Sequence, residues 1–217
     1  MNSKNKKYNA IIFDLDGTLI NSLPYHFLAF KDLLLEHNIR IEDSYLKKLI
    51  GMPTAAIFSE LKKRYKFGGN VPDLREERRY HYFKFIGQRD IVFPGAMATL
   101  RKLRFNCKIA VATGSSRVIF THSTDKDFQG MFDFVATIND VKKGKPYPEQ
   151  FLYTAKKLHA RPEECLVIGD SIYDAIAARK AGMDFIGVLS GYNKKSELIK
   201  EGAINTIHSV NELAKLL

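Results

Sequence analysis

Along the chain, the first run of consecutive apolar positions is Ala10-Ile11-Ile12-Phe13, and it ends in two carboxylates, Asp14 and Asp16, followed by Gly17 and Thr18. A short apolar run bounded by turn residues predicts a strand buried on both faces. From Leu23 the spacing changes. Leu23, Phe27, Phe30, Leu33, Leu34 and Leu35 recur near the helical period, with Ser22 placed to cap the helix and Pro24 in its first turn. Leu46, Leu49 and Ile50 predict a second short helix that Gly51-Met52-Pro53 breaks, and Ala55 to Tyr65 a third. After the turn Gly68-Gly69-Asn70, a long polar helix with an aromatic stripe (Tyr80, Tyr82, Phe83, Phe85) runs to about Gln88. No strand is predicted from Asn21 to Ile91.

From Phe93 onward apolar runs and helical patterns alternate. Pro94-Gly95 opens a Leu-rich helix, Cys107 to Ala112 reads as a buried strand, and Phe134 to Ile138 as the next. A helix from Glu149 to His159, a strand from Leu166 to Ile168, a helix from Tyr173 to Ala181 and a strand from Phe185 to Val188 follow, before a closing helix-strand-helix passage. This order predicts an α/β fold, a doubly wound parallel sheet interrupted after its first strand by an all-helical insertion. Residues 1–20 and 92–217 are expected to form the core, and residues 21–91 the inserted domain.

Composition narrows the class. A chain of 217 residues can bury one substantial core with a smaller insertion, and no apolar run reaches the length of a membrane helix. The basic start (Lys4, Lys6, Lys7) leads into a segment broken by two aspartates, unlike a signal peptide. Its two cysteines, Cys107 and Cys165, sit in separate apolar runs, which suits free thiols in a reducing compartment, so the cytoplasm is expected. The formal charge of +10 fits a soluble surface or the steering of anionic substrates. The densest basic stretches, Lys62 to Lys66 and Arg75-Glu76-Glu77-Arg78-Arg79, carry no nucleic-acid motif, and a solvated helix face explains them as well as steering does. Neither a nucleic acid nor a membrane is an expected partner.

Four polar groups fall at predicted strand ends or before helices: Asp14-x-Asp16, Thr113, Lys145, and Asp170 with Asp174. Singly each has a structural explanation, since Asp-Gly is a turn pair, Thr113 can cap a helix, and Lys145 can be solvated. Carboxyl ends of parallel strands are nevertheless where ligands bind in open sheets.

Asp-x-Asp-Gly-Thr, the Ser/Thr after the second strand, the lysine and Gly-Asp-Ser-x-x-Asp together resemble the four motifs of the haloacid dehalogenase-like superfamily. The inserted helices resemble the small helical cap of its phosphoglycolate phosphatase and beta-phosphoglucomutase subgroup, as do Phe93-Pro94-Gly95 and the run Ala177 to Met183. The resemblance implies a Rossmann-like sheet in the order 5-4-1-2-3. It also implies a magnesium-dependent phosphatase acting on a small phosphorylated metabolite, phosphoglycolate-like or a sugar phosphate, through an aspartyl-phosphate.

On this resemblance Asp14 is the nucleophile and Asp16 the general acid and base. Magnesium is held by Asp14, Asp170 and the Asp16 main-chain carbonyl. Thr113, Gly114, Ser115 and Lys145 bind the phosphoryl group, with Asp174, Thr18 and His26 in support. The chemistry requires cations: a carboxylate approaching a phosphate dianion meets about 4 kcal/mol of repulsion per charge pair at ~4 Å and an effective dielectric of about 20, roughly 8 kcal/mol in all. Dehalogenases need no acid two residues after the nucleophile, so Asp16 favours phosphate-ester chemistry. A beta-phosphoglucomutase-like mutase is the nearest alternative, but the arginine its cap loop carries is absent from Gly51-Met52-Pro53-Thr54. A receiver-like, non-catalytic phosphate-binding protein is the alternative of another class. His26, on a helix expected to be partly exposed, is given a minority role. A monomer or weak homo-oligomer is expected.

Overall fold

The computed structural model describes residues 7–216, so Lys4 and Lys6 of the basic start lie outside the described residues. The chain runs β1 (Ala10–Phe13), α1 (Leu23–Glu36), α2 (Asp43–Leu49), α3 (Thr54–Tyr65), α4 (Val71–Ile86), α5 (Ala96–Leu103), β2 (Lys108–Ala112), α6 (Arg117–Ser123), α7 (Lys126–Gln129) and β3 (Phe134–Ala136). It continues through α8 (Glu149–Lys157), β4 (Cys165–Gly169), α9 (Ile172–Ala181), β5 (Asp184–Val188), α10 (Lys195–Lys200), β6 (Asn205–Ile207) and α11 (Leu213–Leu216).

All six strands are parallel and ordered β3-β2-β1-β4-β5-β6. This is the expected order seen from the other edge, with β6 added beside β5. β1 is central, pairing Ala10 with Lys108 on one side and with Cys165 on the other. Its neighbours on the two sides carry Thr113 and Asp170 just past their last residues, so three strand ends face one point.

Alternation divides the sheet's side chains between two cores. Ile11, Phe13, Ile109, Val111, Leu166 and Ile168 pack with Leu100 of α5 and Phe120 of α6. Ala10, Ile12, Ala110, Ala112 and Val167 face Phe151 of α8 and Ala175 and Ala178 of α9. Small residues on this second face let α8 and α9 approach closely. A third core, including Phe30, Leu33, Phe58 and Leu61, belongs to the helices α1 to α4. Those helices leave and rejoin the sheet side by side: Ile20 bridges Val92 antiparallel, Asn21 N donates to Ile91 O at 2.7 Å, and Phe93 N donates to Leu19 O at 3.0 Å.

Two local expectations are corrected. Ser22 precedes α1 but makes no side-chain cap, because its hydroxyl donates to Asp16 Oδ1 at 2.6 Å instead. The strand expected over Phe134 to Ile138 stops at Ala136. Asp140 accepts from the Thr137 backbone N at 2.7 Å and hydroxyl at 2.8 Å, turning the next residues into a 3-10 turn. Within the helical region His81, almost fully buried on α4, lies between Asp32 (2.9 Å) and Glu36 (3.2 Å) of α1 and ties these two helices together. Among the described residues no helix is long and apolar enough to cross a membrane.

Candidate active site

Where β1 ends, the backbone stops pairing as a strand: Thr18, Leu19 and Ile20 all donate to Leu15 O, and Gly17 sits at φ +83°. That tight turn buries Leu15 and leaves Asp14 and Asp16 lining one cleft with Gly114, Ser115, Lys145 and Asp170. The opposite wall comes from the helical region, with Leu23, Phe30, Met52, Ile57 and Arg78 among its residues. At about 820 Å³, counting space open to solvent, the cleft has the size of a small-molecule site.

Two hydrogen-bonded groups divide the polar residues. In the first, Lys145 Nζ donates to Asp14 Oδ1 at 2.5 Å, to Asp174 Oδ1 at 2.6 Å and to Ala112 O at 3.2 Å. Asp174 is the third residue of α9, and its other oxygen accepts from the Ser171 hydroxyl at 2.5 Å in a capping box. Asp170 Oδ1 accepts from the Thr18 hydroxyl at 3.0 Å. Asp14, Asp170 and Asp174 are buried, and each offers a carboxylate oxygen within 4.8 Å of the others. Burial raises the pKa of Asp14 and of Asp170; Asp174 repels both, Asp16 adds to the rise at Asp14 and Asp14 to that at Asp170, and Lys145 opposes it at both. Lys145 is disfavoured as a cation by burial, but Asp14 and Asp174 outweigh that and hold it protonated. Three buried acids share one lysine, so ionising all three would leave two negative charges unbalanced, and the protonated forms of Asp14 and Asp170 are favoured instead.

That imbalance fits a divalent cation with oxygen ligands. The backbone leaves room for it to be built around Asp170: a Cβ on Gly17 would lie 2.7 Å from Asp170 Oδ2, and one on Gly191 2.7 Å from Asp170 Cβ. Glycine on both sides lets the carboxylate sit against the backbone.

The second group surrounds Asp16. Oδ1 accepts from the Ser22 hydroxyl (2.6 Å) and from His26 Nε2 (3.0 Å), and Oδ2 accepts from the hydroxyls of Ser115 (2.7 Å) and Thr113 (3.1 Å). Burial alone would raise the Asp16 pKa, but His26 and these hydroxyls overcome it and hold the carboxyl well below its ordinary range. The side chain of Asp16 therefore points away from the acidic cluster. Thr113 caps no helix; that place at the start of α6 is taken by Ser116, while Thr113 Oγ1 accepts from Ser115 N at 3.0 Å.

Two expectations fail here for one reason. His26 was expected to be partly exposed and Arg78 to belong to a solvated basic face, yet both are buried, at 8% and 5% exposure. Arg78 Nη1 lies 2.9 Å from His26 Nδ1, and the ring of His26 stacks on Tyr82 with centroids 4.3 Å apart. Packing of α4 against α1 turns one arginine of a charged run inward. The alternating charges of residues 75–79 concealed it; the four-residue spacing of Leu74, Arg78 and Tyr82 on one helix face was the available signal.

A protein-family model described as haloacid dehalogenase-like hydrolase matches residues 11–188. The chain is 28% identical over 185 residues to the fructose-1-phosphate phosphatase YqaB of Escherichia coli, covering 84% of this chain and 97% of that one. It is 29% identical over 194 residues to a bifunctional riboflavin kinase/FMN phosphatase of Arabidopsis thaliana, covering 87% of this chain and 50% of that protein, so it spans half the length of this relative. Among solved structures, a hydrolase from Pseudomonas syringae is 31% identical and superposes with a TM-score of 0.85, over 95% of this chain and 96% of the other. With the family match covering most of the chain and the sheet order in agreement, this protein belongs to the haloacid dehalogenase-like hydrolases.

Proposed function

We propose that this hydrolase is a magnesium-dependent phosphatase that cleaves a small phosphate monoester through an aspartyl-phosphate on Asp14. The observation that carries this reading is the meeting of three buried carboxylates and one buried lysine beside a wall of hydroxyl donors. Asp14 and Asp170, with the main chain at Asp16, would hold the ion, which when bound supplies positive charge against the phosphoryl oxygens.

Asp14 attacks phosphorus while the bond to the leaving oxygen breaks, and Asp16 gives that oxygen its proton. In the second step Asp16 takes a proton from water, the water oxygen bonds to phosphorus, and the Asp14 carboxylate leaves. Lys145, already against Asp14, offsets charge near the nucleophile. Asp16 is held as the anion by four donors, which is the form the second step needs. Its acid form requires some of those donors to be redirected, and Thr113 and Ser115 are the two that a bound phosphoryl group would engage. Residues 21–91 act as a cap whose apolar wall excludes water and selects the leaving group. The absence of an arginine in the loop Gly51 to Thr54 favours phosphatase over mutase. Hydrolysis of p-nitrophenyl phosphate with and without magnesium tests the reading: activity that needs the ion and is lost in Asp14→Asn is expected, and an active Asp14→Asn variant overturns it.

A further inference from the structure

Arg78 is a buried cation with no direct ion pair among the described residues. Its Nη1 is spent on His26 Nδ1, and its buried Nε has no hydrogen-bond partner. Burial lowers its pKa to about 10. Nε and Nη2 lie along one edge of a guanidinium and donate in parallel, the geometry that a carboxylate or phosphate accepts side-on. Arg78 belongs to the helical wall of the cleft, opposite Lys145 and the hydroxyls that serve the scissile phosphate, and its neighbours Leu23, Phe30, Met52 and Ile57 on that wall are apolar.

A smaller cavity continues from the cleft past Arg78 between α4 and the chain after β2, and Arg75, Ser115, Ser116 and Asn139 line it. Arg79, which also reaches it, is tied to Glu76, whereas Arg75 has no ion pair among the described residues. A leaving group seated against the apolar wall therefore lies beside a guanidinium that has no ion pair among the described residues, at the entrance to a basic recess.

We propose that Arg78 receives a second anionic group, a carboxylate or a phosphate, carried by the leaving group, so that the substrates are phosphate monoesters bearing a second acidic function. The proposal rests on the phosphate-ester reading above but can be tested without turnover. Calorimetric titration in excess magnesium compares phosphonoacetate with methylphosphonate, and propane-1,3-bisphosphonate with propylphosphonate. In each pair the first compound adds a carboxylate or a second phosphonate. Wild-type protein is expected to bind the doubly acidic member of one pair at least tenfold more tightly, and which pair shows it identifies the anion. Arg78→Gln is expected to shrink that ratio below threefold. Arg78→Lys, which keeps the charge without the fork, should fall between and serves if the glutamine variant does not fold. Equal affinities within both pairs, no binding of either pair, or an equal weakening of both members by Arg78→Gln overturns the proposal. Loss of the phosphatase reading shows instead as absent p-nitrophenyl phosphate hydrolysis, which this comparison does not use.

Discussion

Arg78 Nη1 donates to His26 Nδ1 across 2.9 Å, and that bond decides where the histidine keeps its proton. A guanidinium cannot accept, so Nδ1 must offer its lone pair and the proton sits on Nε2, from which it is donated to Asp16 Oδ1 at 3.0 Å. Burial lowers the pKa of His26 and Arg78 lowers it further, against the pull of Asp16, which agrees with a neutral ring. His26 thus acts as an uncharged donor that keeps Asp16 ionised.

Replacing His26 by phenylalanine keeps a ring against Tyr82 and removes this donor. Because the folded-state pKa of Asp16 is depressed, its ionised form adds stability above the ordinary carboxylate pKa, and that stability is lost as pH falls through the folded value. His26→Phe raises the folded pKa, so acid unfolding of the variant should depend less on pH below about 4, and the acidic limb of its kcat/KM profile should move to higher pH. Paired pH–rate and pH–melting curves check both, and an unmoved acidic limb would deny His26 this positioning role.

Asp14 and Asp170 have the opposite sign. Their pKa values are raised in the metal-free protein, so their protonated forms contribute stability below the unfolded carboxylate pKa of about 4, which is lost as pH rises through the folded values. On the proposed reading magnesium would replace those protons. The rise in Tm on adding magnesium should therefore be larger at pH 8 than at pH 5; an equal rise at both would contradict the carboxylate site.

Gly191 has no room for a methyl group against Asp170. Gly191→Ala should push that carboxylate out of place, weakening magnesium binding tenfold or more while the far-UV circular dichroism stays that of the wild type. The dependence of activity on magnesium concentration measures it.

Tyr82 of α4 and Ser123 of α6 share a buried hydrogen bond of 2.9 Å that joins the inserted helices to the sheet layer. Tyr82→Phe leaves the Ser123 hydroxyl without this partner and should cost about 1 kcal/mol. Urea unfolding gives the value.

The sheet was legible because buried parallel strands announce themselves as short apolar runs, and the residues just past Phe13, Ala112 and Gly169 are polar where packing does not require it. What the sequence hid was decided by contacts between distant segments. Ser22 looks like a helix cap until Asp16 competes for its hydroxyl, and Ile138 extends a strand until Asp140 folds the backbone back. Arg78 lies in a charged run, and only the packing of α4 on α1 shows which of its arginines turns inward.

The helices from α1 to α4 depart at Ile20 and return at Val92, two positions paired as neighbours. In engineering terms these two paired positions form a socket. Cutting the chain there leaves ends about 5 Å apart, the separation of adjacent strands, which a turn of a few residues can close or another helical insert can occupy. On the proposed reading selectivity would travel with that insert, while Asp14 and Asp170 stay in place at the ends of β1 and β4.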